Sequence, residues 1–350
     1  MIISILGLLT AVIIALGRQI SVFTRFKPGL WFFPHFERKR LIFTITAITL
    51  VSIGYLVEPS DTTIRFAIIA SLLCGFSFFF DMRRFFPELG TLEHTKASAV
   101  NLHASTLIIG TTQTSPPIAY PLEELVIPRH IINDTVGDTP LLVSYCALCR
   151  SGIILDPVVK GRRLSFAVAG VWRRNMIMVD NETASLWQQA TGECIRGPYK
   201  GTQLRMIASV QTSWDAWLQN HADTLFGSEP PGIPKAPFQH SFLHWLLGLV
   251  TNHVTIPGYS KRLHEVPPRE PVYGIQIGTT SKAYPLSTLQ KLPENSLTDQ
   301  IGEREIRLQF DPDSHLVQAR DTTTNTEIPV EQHWWLGWVE FHPDTTVYHG

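Results

Sequence analysis

Four blocks of sequence occur twice in this 350-residue chain, in the same order, and that recurrence limits the architecture more than any other feature. Ile109-Gly-Thr-Thr112 returns as Ile277-Gly-Thr-Thr280, and Ala119-Tyr-Pro-Leu-Glu-Glu-Leu125 returns as Ala283-Tyr-Pro-Leu-Ser-Thr-Leu289. Asp134-x-Val136-Gly137 matches Asp299-x-Ile301-Gly302, and Trp214-x-x-Trp217-x-x-x-His221-x-Asp223-Thr224 matches Trp335-x-x-Trp338-x-x-x-His342-x-Asp344-Thr345. The blocks predict two copies of one unit, near 100–228 and 272–350, joined by a Pro-rich connector over 229–271. Inside the copies, runs such as Pro140–Tyr145, Gly152–Val158 and Asn175–Asp180 are short, rich in Val, Ile, Leu and Met, and bounded by Gly, Pro, Asn or Asp. The fold class is therefore mostly β (α+β). One helix is expected from Trp214, capped by Thr212 or Ser213, with Trp214, Trp217 and Leu218 on its packed side. The repeated His221/Asp223 and His342/Asp344 beyond it read as a hydrogen-bond lock on the helix end, with a catalytic pair of a hydrolase the alternative.

Ahead of the copies lie three uncharged apolar stretches, Met1–Gly17, Leu41–Val57 and Phe66–Phe80, the last extended to 64–80 by Ile64 and a snorkelling Arg65. Residues 1–84 then form a multi-pass anchor in the cell (inner) membrane. The first stretch lacks the basic start and small-residue cleavage site of a removable signal, so it is expected to be retained. The loop between the first two stretches carries Arg18, Arg25, Lys27, Arg38, Lys39 and Arg40 against Glu37 alone, which predicts that it is cytoplasmic. Three crossings would then leave the C-terminal domain in the cytoplasm; if the third stretch does not cross, the domain is extracytoplasmic. The chain through Arg84 has nine basic and four acidic residues, leaving 20 basic and 26 acidic beyond it. That acidic balance argues against a nucleic-acid partner.

Cys74 falls inside an apolar stretch and reads as a packing residue. The other three cysteines lie close together in the sequence. Cys146-Ala-Leu-Cys149 stands where one predicted strand ends and another begins, unlike a redox motif at a helix N-terminus. A C-x-x-C in a strand-turn-strand resembles a metal knuckle, with Cys194 as a third ligand and His221 or His130 as a fourth, for a soft ion such as zinc or copper. The same two thiols can instead serve a redox couple, or simply pack. In the second copy Phe310-Asp311 replaces Tyr145-Cys146, so only the first copy can carry thiol chemistry. His240 and His244 have helical ligand spacing but lack the Glu of a metalloprotease helix. Arg173, Arg174 and Asp180 read as solvated loop charge, with anion binding the alternative.

The assembled motifs resemble the bacterial and archaeal family known as domain of unknown function 3179. The resemblance rests on Asn133-Asp-Thr-Val-Gly137, Val143-Ser-Tyr-Cys-Ala-Leu-Cys149, Asp180-Asn-Glu-Thr-Ala-Ser-Leu-Trp-Gln188, Thr191-Gly-Glu193, Gly197-Pro198, Thr212-Ser-Trp214, Arg262-Leu263, Val272-Tyr-Gly274 and the closing Trp338-x-x-x-His-Pro-Asp-Thr345. It covers nearly all of 100–350. The family typically has Pro after the first cysteine and Gly after the second, where this chain has Ala147 and Arg150, so a less tight turn is expected. The resemblance implies no activity. Two functions from different classes follow from the residues: a membrane-anchored metal-binding or thiol-redox protein centred on Cys146 and Cys149, and a non-catalytic module that binds a ligand or partner between its copies through residues such as Trp187 and Trp214.

Overall fold

The computed structural model describes residues 1–20, 27–79, 81–234 and 261–350. Most of the connector, with Phe242–Val250, His240 and His244, lies outside the described residues. The N-terminal part is a bundle of α1 (Ile2–Ile20), α2 (Phe36–Val57) and α3 (Asp61–Phe79). Helices α2 and α3 are long and apolar enough to cross a membrane, while the apolar part of α1, Ile2–Arg18, is shorter. Small residues let these helices approach closely, as in lipid-embedded bundles. A Cβ at Gly7 would come within 2.8 Å of Val51, and one at Gly54 would press into Ser4. Both α2 and α3 begin earlier than their apolar runs. Arg40, buried despite its charge, reaches Asp81 at 3.4 Å, which keeps the basic turn helical. The α3 start is fixed by Ser60, whose hydroxyl accepts the Thr63 N–H at 3.3 Å.

In the first copy the strands are β1 (Leu107–Thr111), β2 (Ile118–Pro121), β3 (Ile131–Val136), β4 (Thr139–Cys146), β5 (Ser151–Leu155), β6 (Phe166–Trp172), β7 (Asn175–Asp180), β8 (Leu186–Gln188), β9 (Cys194–Arg196) and β10 (Val210–Ser213). Helix α4 (Trp214–Asn220) and β11 (Leu225–Ser228) close it. The second copy has β12 (Pro271–Ile277), β13 (Thr280–Pro285), β14 (Ser296–Ile301), β15 (Arg304–Asp311), β16 (Leu316–Asp321), β17 (Glu331–Trp334), α5 (Trp335–Phe341) and β18 (Thr346–Val347).

The two copies use the same strand order. One sheet runs β11-β2-β1-β10 in the first copy, with the strand Glu93–Lys96 added antiparallel outside β11, and β18-β13-β12-β17 in the second, each with one parallel pair, β11 on β2 and β18 on β13. The other runs β5-β4-β3 and β16-β15-β14, each extended by a two-residue strand, Met206–Ile207 or Glu327–Ile328. Three of the four recurring blocks fall on recurring contacts; the Ile-Gly-Thr-Thr match does not, because Gly110 pairs with Ala119 as Gly274 pairs with Ala283, so Ile277-Gly-Thr-Thr280 lies four residues out of register in the turn after β12. Tyr120 donates to Asp134 at 2.8 Å, and Tyr284 to Asp299 at 2.9 Å. The Trp217 indole donates to Thr224 at 3.0 Å and lies on Gly110, where a Cβ would be 2.8 Å from the ring. Trp338, Thr345 and Gly274 repeat this arrangement. The helix-end lock is thus made by Trp, Thr and a His ring against the indole: His221 lies 4.2 Å from Trp217, tilted by 50°, and His342 is stacked 3.7 Å from Trp338, centroid to centroid.

The first copy has something extra. Between β5 and β10 it inserts the four-stranded sheet β9-β8-β7-β6, which has no counterpart among the described residues of the second. This insertion also holds the helical bundle. Leu30 and Phe33, from the loop between α1 and α2, are buried against Ala169, Trp172, Ile177 and Leu186, and Arg18 donates to the Ala169 carbonyl at 2.7 Å. Burying two such apolar side chains contributes about 1.5–3 kcal/mol each.

Candidate thiol site at the seam between the copies

Strands β4 and β5 pair antiparallel with Cys146 opposite Ser151, and residues 147–150 form the turn between them. The Cys149 N–H donates to the Cys146 carbonyl at 3.3 Å, folding the second cysteine back over the first. Their Sγ atoms stand 3.7 Å apart, and both residues are almost wholly buried. The two sulfurs therefore face each other.

The inserted sheet and the second copy enclose this pair from two sides. From β7, the Asn175 amide donates to Cys149 Sγ at 3.4 Å, and the Arg174 carbonyl lies 3.3 Å from the same sulfur. Asn175 also donates to Gln189 at 2.8 Å and accepts from Gln188 at 2.6 Å and from the Ala190 N–H at 3.0 Å. Ser151 donates to Gln189 at 3.1 Å. All five of these side chains, from Ser151 to Gln189 with Cys149, are buried, so a polar network ends on a thiol inside an otherwise apolar cluster. From the second copy, the Trp334 N–H donates to the Cys149 carbonyl at 2.8 Å, and a Cβ on Gly337 would be 2.7 Å from that of Cys149.

Ionisation is divided unequally between the thiols. Burial opposes the Cys146 thiolate, but hydrogen bonds from the Cys149 thiol and from the backbone at Cys149, Met176 and Leu148 outweigh it and hold its pKa below the ordinary thiol range. Sharing that hydrogen bond, together with burial, drives Cys149 well above the range. The pair is arranged to carry one proton between two sulfurs.

Cys194 packs in the same apolar cluster, but its thiol points to the Arg196 carbonyl at 3.4 Å and burial pushes it up to about 11. His221 sits apart, its ring tilted against Trp217, with its pKa lowered by burial. His130 is stacked on Phe86 at 4.1 Å. Among the described residues, no group of three or more His, Cys, Asp or Glu side chains gathers as a set of metal ligands. The loop charges differ from expectation. Asp180 is buried and accepts from Thr183 at 2.7 Å and Trp187 at 2.8 Å, and Arg173 pairs with Glu340 of the second copy at 2.6 Å. They are structural because the inserted sheet turns them inward.

The outer face of the same turn lines a cleft of about 310 Å³ between the copies, with Tyr145, Ala147 and Arg150 on one side and Ser314, Gln332 and Trp334 on the other. Trp187 and Trp214, expected to serve such a cleft, are buried in the cores of the first copy instead. Trp334 is the indole that reaches it.

A family model described as a protein of unknown function, DUF3179, matches residues 85–345. The chain belongs to this family. Comparison with curated proteins and with solved structures gives no match. At the position after the second cysteine, where the resemblance implies glycine, Arg150 adopts a φ of 53°, the left-handed conformation that glycine enters freely. The turn is thus kept without the glycine, at the cost of a less favourable backbone. Of the residues that matter here, the spacing of Cys146 and Cys149 was visible in the sequence. Asn175, Gln189, Trp334 and Gly337 were not, because single amides, an indole and a glycine have no spacing that marks them.

Proposed function

We propose that this DUF3179 protein is a membrane-anchored thiol-redox protein in which Cys146 and Cys149 cycle between dithiol and disulfide. The observation that carries this reading is the facing pair of sulfurs at 3.7 Å, one favoured as thiolate and the other as thiol. In thiol–disulfide exchange, the Cys146 thiolate attacks one sulfur of a low-molecular-weight disulfide and releases one thiolate. Cys149 then attacks the Cys146 sulfur, closes the internal disulfide and expels the second thiolate, which takes the Cys149 proton. Two electrons and the substrate's S–S bond are accounted for. The Asn175 amide is placed to stabilise charge on Cys149 during the second step. The test is alkylation and disulfide mapping of the native full-length chain after exposure to oxidised glutathione. A Cys146–Cys149 disulfide that is lost in either Cys→Ser variant supports the proposal. Thiols that react only after denaturation overturn it. Zinc or copper near one per chain, abolished by Cys146→Ser, would replace redox chemistry by metal binding.

A second reading is supported by the cleft, whose walls come from both copies. It is a binding module for a small polar molecule, in which Arg150→Gln or Trp334→Ala weakens binding while Cys146→Ser leaves it unchanged.

The anchor reading is extended in the same way: all three helices cross the inner membrane and the domain lies in the cytoplasm. Its support is that the basic loop between α1 and α2 is docked on the inserted sheet through Leu30 and Phe33, so the loop and the domain share one side. In that compartment static disulfides are rare, which suits a cycling pair. A phosphatase reporter fused after Gly350 should be inactive; an active one would reverse the orientation.

A further inference from the structure

A second cavity, of about 720 Å³, opens where the anchor meets the inserted sheet. One wall is Lys27 and Leu30 from the short 3-10 helix Lys27–Phe32 between α1 and α2. The opposite wall is the hairpin from Thr191 to Lys200, and the floor is Trp172, Gln188 and Phe341. The charge on these walls is uneven. Lys27, Arg196 and Lys200 face Glu193 alone, and none of the three cations has an ion-pair partner among the described residues. Arg173 also borders the cavity but is committed to Glu340.

Two buried polar atoms on the floor lack partners among the described residues: the Trp172 Nε1 donor and the Gln188 Oε1 acceptor. Trp172 is 5% exposed and Gln188 2%. An unsatisfied buried donor or acceptor costs about 1–3 kcal/mol, so such atoms bordering a cavity point to something that satisfies them. A bare anion would satisfy the indole and leave the carbonyl unpaired. An anion that also carries a hydroxyl serves both.

We infer that this cavity binds a phosphate ester bearing a free hydroxyl, with the phosphate among Lys27, Arg196 and Lys200 and the hydroxyl on Gln188. The position at the domain end of the helical bundle places it within reach of a headgroup such as that of phosphatidylglycerol, and a soluble glycerol phosphate has the same chemistry. This site shares Gln188 with the amide network beside the thiol pair but includes neither cysteine, and its test does not depend on redox activity.

Full-length protein in neutral detergent is titrated calorimetrically with short-chain phosphatidylglycerol, short-chain phosphatidylcholine and glycerol 3-phosphate. Phosphatidylglycerol should bind at least tenfold more tightly than phosphatidylcholine, and more weakly as salt is raised. Glycerol 3-phosphate binding as well as the lipid would keep the site and assign it a soluble ligand. Arg196→Gln with Lys200→Gln, both at the surface, should weaken binding about 30-fold, the loss expected for two cations near a phosphate, whereas Glu193→Gln should tighten it. Equal affinity for the two lipids with no binding of glycerol 3-phosphate, or wild-type affinity in the double variant, overturns the inference.

Discussion

Replacing Asn175 with Leu tests whether the buried amide network is built around the thiol or merely fills space. Leucine keeps the fork and the number of side-chain heavy atoms, so no cavity is left, but its two methyl groups are bulkier than the amide, and that overpacking adds to the polar losses. What is lost is countable. The Ala190 N–H has Asn175 Oδ1 as its acceptor and becomes an orphan, costing about 1–3 kcal/mol. Gln188 Nε2 keeps only a long contact to the Met176 carbonyl at 3.4 Å, and Gln189 Oε1 keeps Ser151. These and the lost bond to Cys149 add about 0.5–1.5 kcal/mol each. The polar losses sum to roughly 2.5–7.5 kcal/mol, and the middle of that range, about 5 kcal/mol, lowers the melting temperature of a domain of this size by about 10–20 °C. Melting of the full chain in detergent, followed by circular dichroism, gives the stability. Alkylation as a function of pH gives the thiols: without the Asn175 donor, Cys149 should ionise at still higher pH. A fall of under about 3 °C with an unchanged alkylation profile would refute the network's role. A large fall with unchanged thiol reactivity would leave it structural only.

Two further outcomes follow from particular contacts. Gly337→Ala puts a methyl 2.7 Å from the Cys149 Cβ, so the seam must open, and about 1–3 kcal/mol of stability should be lost with faster alkylation of Cys149; unchanged melting would mean that the seam is loose. His342 is pushed down to about 4 by burial against Trp338, so the unfolded chain, with an ordinary imidazole near 6.5, binds the proton first as pH falls. Stability is therefore full above about pH 6.5 and declines toward pH 4 by up to roughly 3 kcal/mol, a slope that His342→Phe should flatten in a pH series of melting temperatures.

The doubled architecture was legible because its repeated residues are the ones that hold each copy together. Tyr120 with Asp134, and Trp217 with Thr224 over Gly110, are side-chain bonds that any copy of the unit must remake, so the identities survive in Tyr284, Asp299, Trp338, Thr345 and Gly274. The cysteine pair was legible for a simpler reason, its spacing of three. The rest was hidden by distance along the chain. Asn175 meets Cys149 from 26 positions away, and Arg173 meets Glu340 from 167. His221 illustrates the opposite error: it looks like a ligand in the sequence, yet its ring packs against Trp217 at a position that the second copy repeats with His342 on Trp338.

The same corner of the fold has been given two different chemistries, and the contrast bears on what the thiols are for. In the second copy Asp311 stands where Cys146 stands in the first, and it closes its own turn by accepting from the Asp313 N–H at 3.0 Å and from Ser314 at 2.5 Å. That corner needs no cover, and its carboxyl is held below the usual range chiefly by the Ser314 bond. In the first copy the equivalent corner is roofed by the inserted sheet and closed from the other side by Trp334 and Gly337. If the roof served packing alone, apolar side chains would fill it without the cost of desolvating three amides. Instead Asn175, Gln188 and Gln189 are brought in and one of them is aimed at a sulfur. A buried amide beside a thiol repays its desolvation most when that sulfur gains negative charge, so the arrangement fits a sulfur whose charge changes during work better than one that stays neutral.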